Sequence, residues 1–388
     1  MGNVAQKRDA EGNVNYCVSF GESPLSPMRL TIDPDIARAA TLEPAFYRTE
    51  AAYAATRDRV FVRTWQWLGD LAGVAEPGSL APRDLLPELL DEPLLLARDA
   101  EGTLRCLSNV CTHRGNILVK TPCSADHIRC GYHSRRFDLA GRMTFMPEFA
   151  AAKNFPSPAD DLPNVPFAEW AGQGFAALDP AAPFADFAGD LPHRLDWLGI
   201  EGYRHDPARD RAYEINAHWA LYVENYLEGF HIPFVHPALN EVVDYGSYAT
   251  ELFRYSNLQR ALAQPGEAAF APPPHTPDYG QRIAAYYWWM FPNLMLNFYP
   301  WGLSVNLVQP AGVSRTRVAF RSYVGDAAAI GEGAGGALDR VEAEDEAIVE
   351  AVQRGVRSRL YRGGRYSPTR ERGVHHFHRL LAEFLAAK

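Results

Sequence analysis

The stretch that decides how the chain reads is CTHRGNILVKTPCSADHIRCGYHSRRFDLAGR, residues 111–142. It holds Cys111-Thr-His113 and, sixteen residues on, Cys130-Gly-Tyr-His133. Each pair offers one thiolate and one imidazole from a tight loop. A mixed-ligand two-iron, two-sulfur cluster needs that division, with two Cys on one iron and two His on the other. Neutral imidazoles also raise the reduction potential above that of an all-Cys cluster. Gly115, Gly131 and Gly141 permit tight turns around these loops. Structural zinc is the competing occupant, because two Cys and two His also suit that ion. Zinc fingers keep their two Cys together and their two His together, whereas here each pair is mixed and sits between strand-like runs. Cys17, Cys106 and Cys123 have no partner spacing and read as buried or spare thiols.

Around this stretch lie 388 residues, 47% apolar and 22% charged, enough for two or three globular domains. A net charge of -9 with no Lys/Arg-rich run argues against nucleic acid as a partner. The most apolar run, AAYYWWMFPNLMLNFYPWGLSVNLV from Ala284, contains Pro292, Pro300 and three Asn. That suits strands of a buried sheet rather than a membrane helix. The first 27 residues contain no continuous apolar core, and five cysteines is an odd number. A cytoplasmic protein without membrane association and without a disulfide framework is expected.

The organisation expected is a small β domain followed by an α+β domain. Residues 1–40 are polar and punctuated by Pro and Gly, an N-terminal extension. The pattern from Pro44 to Val62 is helical, and Trp65 to about Pro180 reads as short strands and turns. Two hairpins stand out, one turning at Asp99-Ala100-Glu101-Gly102 and one near Ala140-Gly141. Beyond Pro192 come long strand-like runs and helices near Tyr222–His231 and Leu338–Tyr361. The partition is therefore 1–40, 41–185 and 186–388, the last an antiparallel sheet with helices on one side. Ala263–Gly280 and Gly325–Ala337 read as lids or mobile loops.

A second constellation is ENYLEGFHIPFVH, residues 224–236. His231 and His236 would stand about 140° apart on an ideal helix, too far to share a metal. Pro233 disfavours continuation of the helix at Ile232, so the chain can bend and bring His236 back. A two-His iron site needs one carboxylate as well. The helix DRVEAEDEAIVEAVQRGV supplies six acids, and its phase sorts them. Asp345 precedes Ile348, Val349, Val352 and Val356 by three, four, seven and eleven residues, so it shares their inward face. Asp339, Glu342, Glu344, Glu346 and Glu350 fall to the solvated face. A buried carboxylate is costly unless paired or bound to metal, which makes Asp345 the third ligand.

With these residues in view, the chain resembles the α subunits of Rieske non-haem iron ring-hydroxylating oxygenases, from about Tyr47 to the C-terminus. Cys111, His113, Cys130 and His133 match the family's cluster ligands. His231 and His236 match its iron histidines, and Asp345 fits the carboxylate ligand. The resemblance implies one 2Fe-2S Rieske cluster and one mononuclear Fe(II) per chain, a β-rich Rieske domain and a helix-grip (START-like) catalytic domain. It also implies a head-to-tail homotrimer and an NAD(P)H-dependent reductase, with or without a ferredoxin. Glu228 falls where the family places an acidic residue that bridges one subunit's cluster to the next subunit's iron. In two places this chain departs from the usual pattern. Many members have Gly-Trp where this chain has Ser134-Arg135, and the bridging acid is more often Asp. Glu at that position resembles members that oxidise quaternary ammonium compounds such as carnitine.

The activity expected is O₂- and reductant-dependent oxygen insertion into a small organic molecule, leaning to monooxygenation of a quaternary ammonium compound. Hydroxylation of an aromatic ring is the alternative. Asn225 and Tyr226 are close enough in sequence to line the site or simply to pack. Tyr286, Tyr287, Trp288 and Trp289 place two rings on each face of a strand, as a cage or as ordinary core. Two readings from other classes compete. A Rieske electron-transfer protein would need only the first 180 residues or so and leaves His231, His236 and Asp345 unexplained. A helix-grip binding protein with structural zinc would hold no iron. The run His375, His376, His378 reads as packing and surface of a C-terminal helix.

Overall fold

The computed structural model describes residues 30–386 in full and, before them, the backbone of the antiparallel strands Val4–Arg8 and Val14–Val18. Of the expected extension over 1–40, residues 1–29 lie otherwise outside the described residues, as does the side chain of Cys17.

The β-rich part is built from short strands. Leu104–Ser108, Glu92–Arg98, Ser79–Leu85 and Cys123–Ser124 form one sheet in that order. Phe167–Trp170, Gln173–Ala176 and Gln66–Asp70 form a second. A third small sheet holds Met143–Phe145, Arg136–Phe137 and Ile128–Arg129. Both expected hairpins form. At the first, Gly102 takes φ +85°, and Asp99 accepts from the Thr103 amide at 2.7 Å. The expected helix over 44–62 is shorter, Glu50–Arg59, capped by Thr49. Residues from Ala39 to Trp65 share a core with helix Trp219–Tyr226 and the C-terminal helix Arg372–Ala386.

The second part is one large antiparallel sheet. Val243–Leu252, Ser256–Ala263, Ile283–Met290, Leu294–Tyr299, Gly302–Pro310 and Thr316–Val324 pair in sequence order. Arg204–His205 and Arg211–Ile215 both pair with the last strand. Every residue of Ile283–Met290 is buried. An apolar run without alternation is what a strand covered on both faces requires. Trp289 meets Phe377 of the C-terminal helix at 5.5 Å, and Tyr287 on the same face lines a cavity. Tyr286 and Trp288 point the other way, against Phe270 and Phe253.

That second face corrects the reading of Ala263–Gly280 as a lid. Asp278 within it is fully buried and held by Arg194 (2.8 and 3.0 Å), by Arg260 and by the Tyr286 hydroxyl at 3.0 Å. The loop is a cover for the sheet, fastened by a buried ion-pair network. Gly325–Ala337 forms two short 3₁₀ turns, Ala327–Ala329 and Gly333–Gly335, and packs through the second, where Ala334 and Gly335 are buried. Among the described residues no helix is long and apolar enough to cross a membrane.

Candidate metal centres and the cavity between them and the sheet

The first loop follows strand Leu104–Ser108. The second joins Ile128–Arg129 to Arg136–Phe137. Each closes on itself, with the Gly115 amide donating to the Cys111 carbonyl and the Ser134 amide to that of Cys130 (3.0 and 3.1 Å). Gly115 and Gly141 take positive φ, as expected, but Gly131 does not. Ser134 takes that role at φ +61°, in the left-handed region that favours glycine.

The loop tips bring the four expected ligands together. The rings of His113 and His133 lie 4.6 Å apart, and both Nδ1 atoms are buried without a hydrogen-bond partner. Two buried imidazole nitrogens without partners, on loops that also carry the buried Cys111 and Cys130, fit a Rieske cluster. Burial opposes ionisation of both thiols. At Cys130 the amides of Tyr132 and His133, with the Asn116 side chain, hold the pKa below its ordinary value; at Cys111 burial prevails and raises it. The unusual Arg135 is almost fully buried. It donates to Thr112 Oγ1 at 2.8 Å and Asp160 Oδ1 at 2.9 Å, and it stacks over Phe155. Cys106 is buried with its thiol pushed up to about 12 by desolvation, an inert group, and Cys123 is exposed.

The second centre is assembled from three elements. Helix Trp219–Tyr226 stops at Leu227, and the next short helix, Ile232–Val235, is followed by Pro237–Val242. The break is therefore at Leu227–Gly229 and not at Pro233. Pro233 sits in the first turn of the second helix, where its missing N–H would have no partner anyway. Two close approaches fix the break. A Cβ on Gly229 would meet the Tyr248 ring at 2.8 Å, and one on Gly373 would meet the Leu227 carbonyl at 2.3 Å. His231 precedes the short helix and His236 follows it, so they face one point from its two ends.

Asp345 completes the set. Its Oδ1 is 3.0 Å from His236 Nε2 and 3.5 Å from His231 Nε2, and the three donor atoms all lie within 4.8 Å of one another. These separations suit ligands around one ion. Each Nδ1 is occupied from behind, His231 by Glu228 Oε1 at 2.6 Å and His236 by Glu344 Oε2 at 2.8 Å. Carboxylates in that position fix the tautomer and leave Nε2 free for metal. Burial works against a proton on His236, but Asp345 and Glu344 outweigh it and raise the pKa. Glu228 also accepts from the Phe230 and His231 amides, capping the turn it stands beside.

Three sequence expectations about the long helix change. It runs Leu338–Val356, ending before Tyr361. Its inward side chains are Glu342, Val349, Gln353 and Val356, while Ile348 and Val352 are exposed. Asp345 shares the inward face with only two of its four expected apolar companions, Val349 and Val356, because Ala and Val occur on every side of the helix. Glu342 and Glu344 leave the solvated face. Glu344 backs His236, and Glu342 is 7% exposed with both oxygens accepting from the Tyr222 hydroxyl (2.7 and 2.8 Å). Burial first, then Asp345 and Glu346, push its carboxyl up to about 8. Its only sequence signal was the i−3 relation to Asp345.

A cavity of about 110 Å³ lies between the triad and the sheet. Asn225, Glu228, Glu342 and Asp345 line it, as do Tyr226, Tyr248, Tyr287 and Tyr299. The Tyr287 ring lies 6.4, 6.5 and 6.0 Å from those of Tyr226, Tyr248 and Tyr299. Of the alternating aromatic tetrad only Tyr287 reaches the cavity; the other three are core. The box is instead made from helix and separate strands, which no local pattern reveals. His375, His376 and His378 are buried packing, with His378 Nδ1 2.5 Å from the Tyr366 hydroxyl, so only their surface part of the reading fails.

Comparison with known proteins agrees with both halves. Residues 72–156 match the Rieske [2Fe-2S] domain, and residues 202–387 match the catalytic domain of the ring hydroxylating alpha subunit. The chain is 28% identical over 387 residues to the chloroplastic choline monooxygenase of Arabidopsis thaliana, covering 93% of this chain and 87% of that protein. It is 28% identical over 365 residues to the carnitine monooxygenase oxygenase subunit of Escherichia coli, covering 89% and 94%. Its fold is similar to that of the quaternary ammonium Rieske monooxygenase CntA (TM-score 0.72, 24% identity, 91% of this chain and 96% of that one). It is also similar to naphthalene 1,2-dioxygenase from Rhodococcus sp. (TM-score 0.68, 19% identity, 90% and 95%). A Rieske domain joined to this catalytic domain, in a chain with such relatives, makes the protein a member of the Rieske-type non-haem iron oxygenase α subunits.

Proposed function

We propose that the chain holds one 2Fe-2S cluster on Cys111, His113, Cys130 and His133 and one Fe(II) on His231, His236 and Asp345, and inserts oxygen into a small quaternary ammonium compound. The observation that carries the substrate class is the tyrosine box beside the triad, with no Lys or Arg among the lining residues. Aromatic faces attract a cation, most when it is desolvated. Asn297, Ser304, Asn306 and Glu342 on the same walls suit a polar molecule better than an aromatic hydrocarbon. The choline and carnitine monooxygenases among its relatives accord with this choice.

An iron held by His231, His236 and Asp345 would supply activation of O₂. The chain's own residues do the rest. Glu228 and Glu344 orient the two imidazoles. Tyr226 donates to Asn297 at 2.7 Å, fixing two walls of the cavity relative to each other. Asn225 lines the cavity beside Glu228, placed to contact substrate. Glu228 is the intersubunit bridge: one side holds His231, and the other accepts from His113 or His133 of a neighbouring copy in a homotrimer. Cys111, His113, Cys130 and His133 would hold a cluster able to take electrons from an NAD(P)H-dependent reductase, directly or through a ferredoxin, in the cytoplasm. We assign the Rieske domain to 41–185 and the catalytic domain to 186–388, with the leading helix packed on the catalytic core.

The test is oxygen uptake by the purified chain with a reductase and NADH, scored against choline, L-carnitine, gamma-butyrobetaine and a panel of aromatic acids and hydrocarbons. Uptake coupled to a trimethylammonium substrate supports the proposal. Coupling only to aromatic compounds would replace it with ring hydroxylation.

A further inference from the structure

Three carboxyl groups line the cavity: Glu228, Glu342 and Asp345. Two are committed, Glu228 to His231 and Asp345 to both histidines. Glu342 is not. It is 7% exposed, its one hydrogen-bond donor is the neutral Tyr222 hydroxyl, and among the described residues it makes no ion pair. A buried carboxyl without a counter-ion is costly, and among the described residues only the Tyr222 hydrogen bond offsets that cost. Burial and the nearby acids oppose its ionisation and push it up to about 8, the behaviour of a group whose charge lacks a partner. The tyrosine faces that share its cavity favour a positive charge at the same place.

We propose that Glu342, held by Tyr222, is the specificity residue that pairs with the substrate's cationic centre, so that the cavity selects a permanent cation over an uncharged molecule of the same shape. This deepens the quaternary ammonium reading and rests on it. Glu342 lies one helical turn from Asp345. A cation seated at Glu342 therefore presents carbons one or two bonds from nitrogen to the triad. Tyr222 is a positioning residue. Its hydroxyl bridges both carboxyl oxygens and holds the group at the cavity wall that the two residues share.

The experiment compares choline with its uncharged isostere 3,3-dimethylbutan-1-ol by calorimetric titration of the holoenzyme, without reductant so that no turnover occurs. Glu342→Gln and Glu342→Asp are measured beside wild type, with the cluster's visible spectrum as the check on folding. Wild type binds choline at least tenfold tighter than the isostere. Glu342→Gln loses that preference by weakening choline alone, and Glu342→Asp regains part of it. If Glu342→Gln keeps the wild-type preference, or weakens both ligands equally with the spectrum intact, the role of Glu342 is refuted while the substrate class stands. If wild type itself shows no preference for the cation, the quaternary ammonium reading fails, and this role fails with it.

Discussion

Replacing Glu342 by Gln should stabilise the protein at alkaline pH, which is unusual for a change inside an active site. The carboxyl is 7% exposed and its value is about 8, against 4.5 in an unfolded chain. A carboxyl raised in this way contributes its full stability below about pH 4.5, and that contribution is lost progressively as pH rises to 8. At about 1.36 kcal/mol per pK unit, the 3.5-unit difference sets a ceiling of about 5 kcal/mol at pH 9. Gln is isosteric, can still receive the Tyr222 hydrogen bond and never ionises, so it does not carry the loss. For a domain of this size about 1 kcal/mol moves the melting temperature by about 2–4 °C. The assay is thermal unfolding of wild type and Glu342→Gln from pH 5 to 9, with the mononuclear iron removed by chelation and the cluster retained. The gap between variant and wild type should widen with pH by about 10 °C. A gap that stays flat across that range would refute the placement of Glu342 as a buried, unpaired acid.

Two other changes probe the remaining parts. Glu228→Gln should leave the cluster spectrum and iron content in place but cut turnover by about 10–100-fold or more, the usual cost of losing a carboxylate behind a metal-binding histidine; near-wild-type turnover would remove Glu228 from the electron path. Arg135→Leu breaks the ion pair to Asp160 and the hydrogen bond to Thr112 between two cluster ligands. Because Asp160 is partly exposed, the cost should be about 2–3 kcal/mol, below the range for a fully buried pair. It would be read as earlier bleaching of the cluster on heating, and bleaching at the wild-type temperature would show that Arg135 has no part in holding the loops.

The cluster loops were legible because their ligands sit in two short local patterns, and a local pattern survives any error in the surrounding fold. Asp345 was legible through helical phase, yet Ile348 and Val352 were not where that phase put them. The long helix is rich in Ala and acids, so its apolar residues define the inward face poorly. Glu342 and Glu344 illustrate the same limit. A carboxylate reads as solvated until the structure shows a histidine or a tyrosine across from it. The bend between His231 and His236 was expected, but for the wrong residue. Pro233 signals a helix start as readily as a stop, and what ends the first helix is packing of Gly229 and Gly373 against distant groups. The tyrosine box was out of reach because its rings come from one helix and three strands whose register only the sheet defines.

Everything turns on two iron centres of different kinds in one chain. Iron and acid-labile sulfide analysis of the purified protein, repeated on Asp345→Ala, tests this directly. Wild type should contain about three irons and about two sulfides per chain, and the variant about two of each with the Rieske EPR signal unchanged. Zinc in place of iron, an absence of sulfide, or equal iron content in wild type and variant would contradict it.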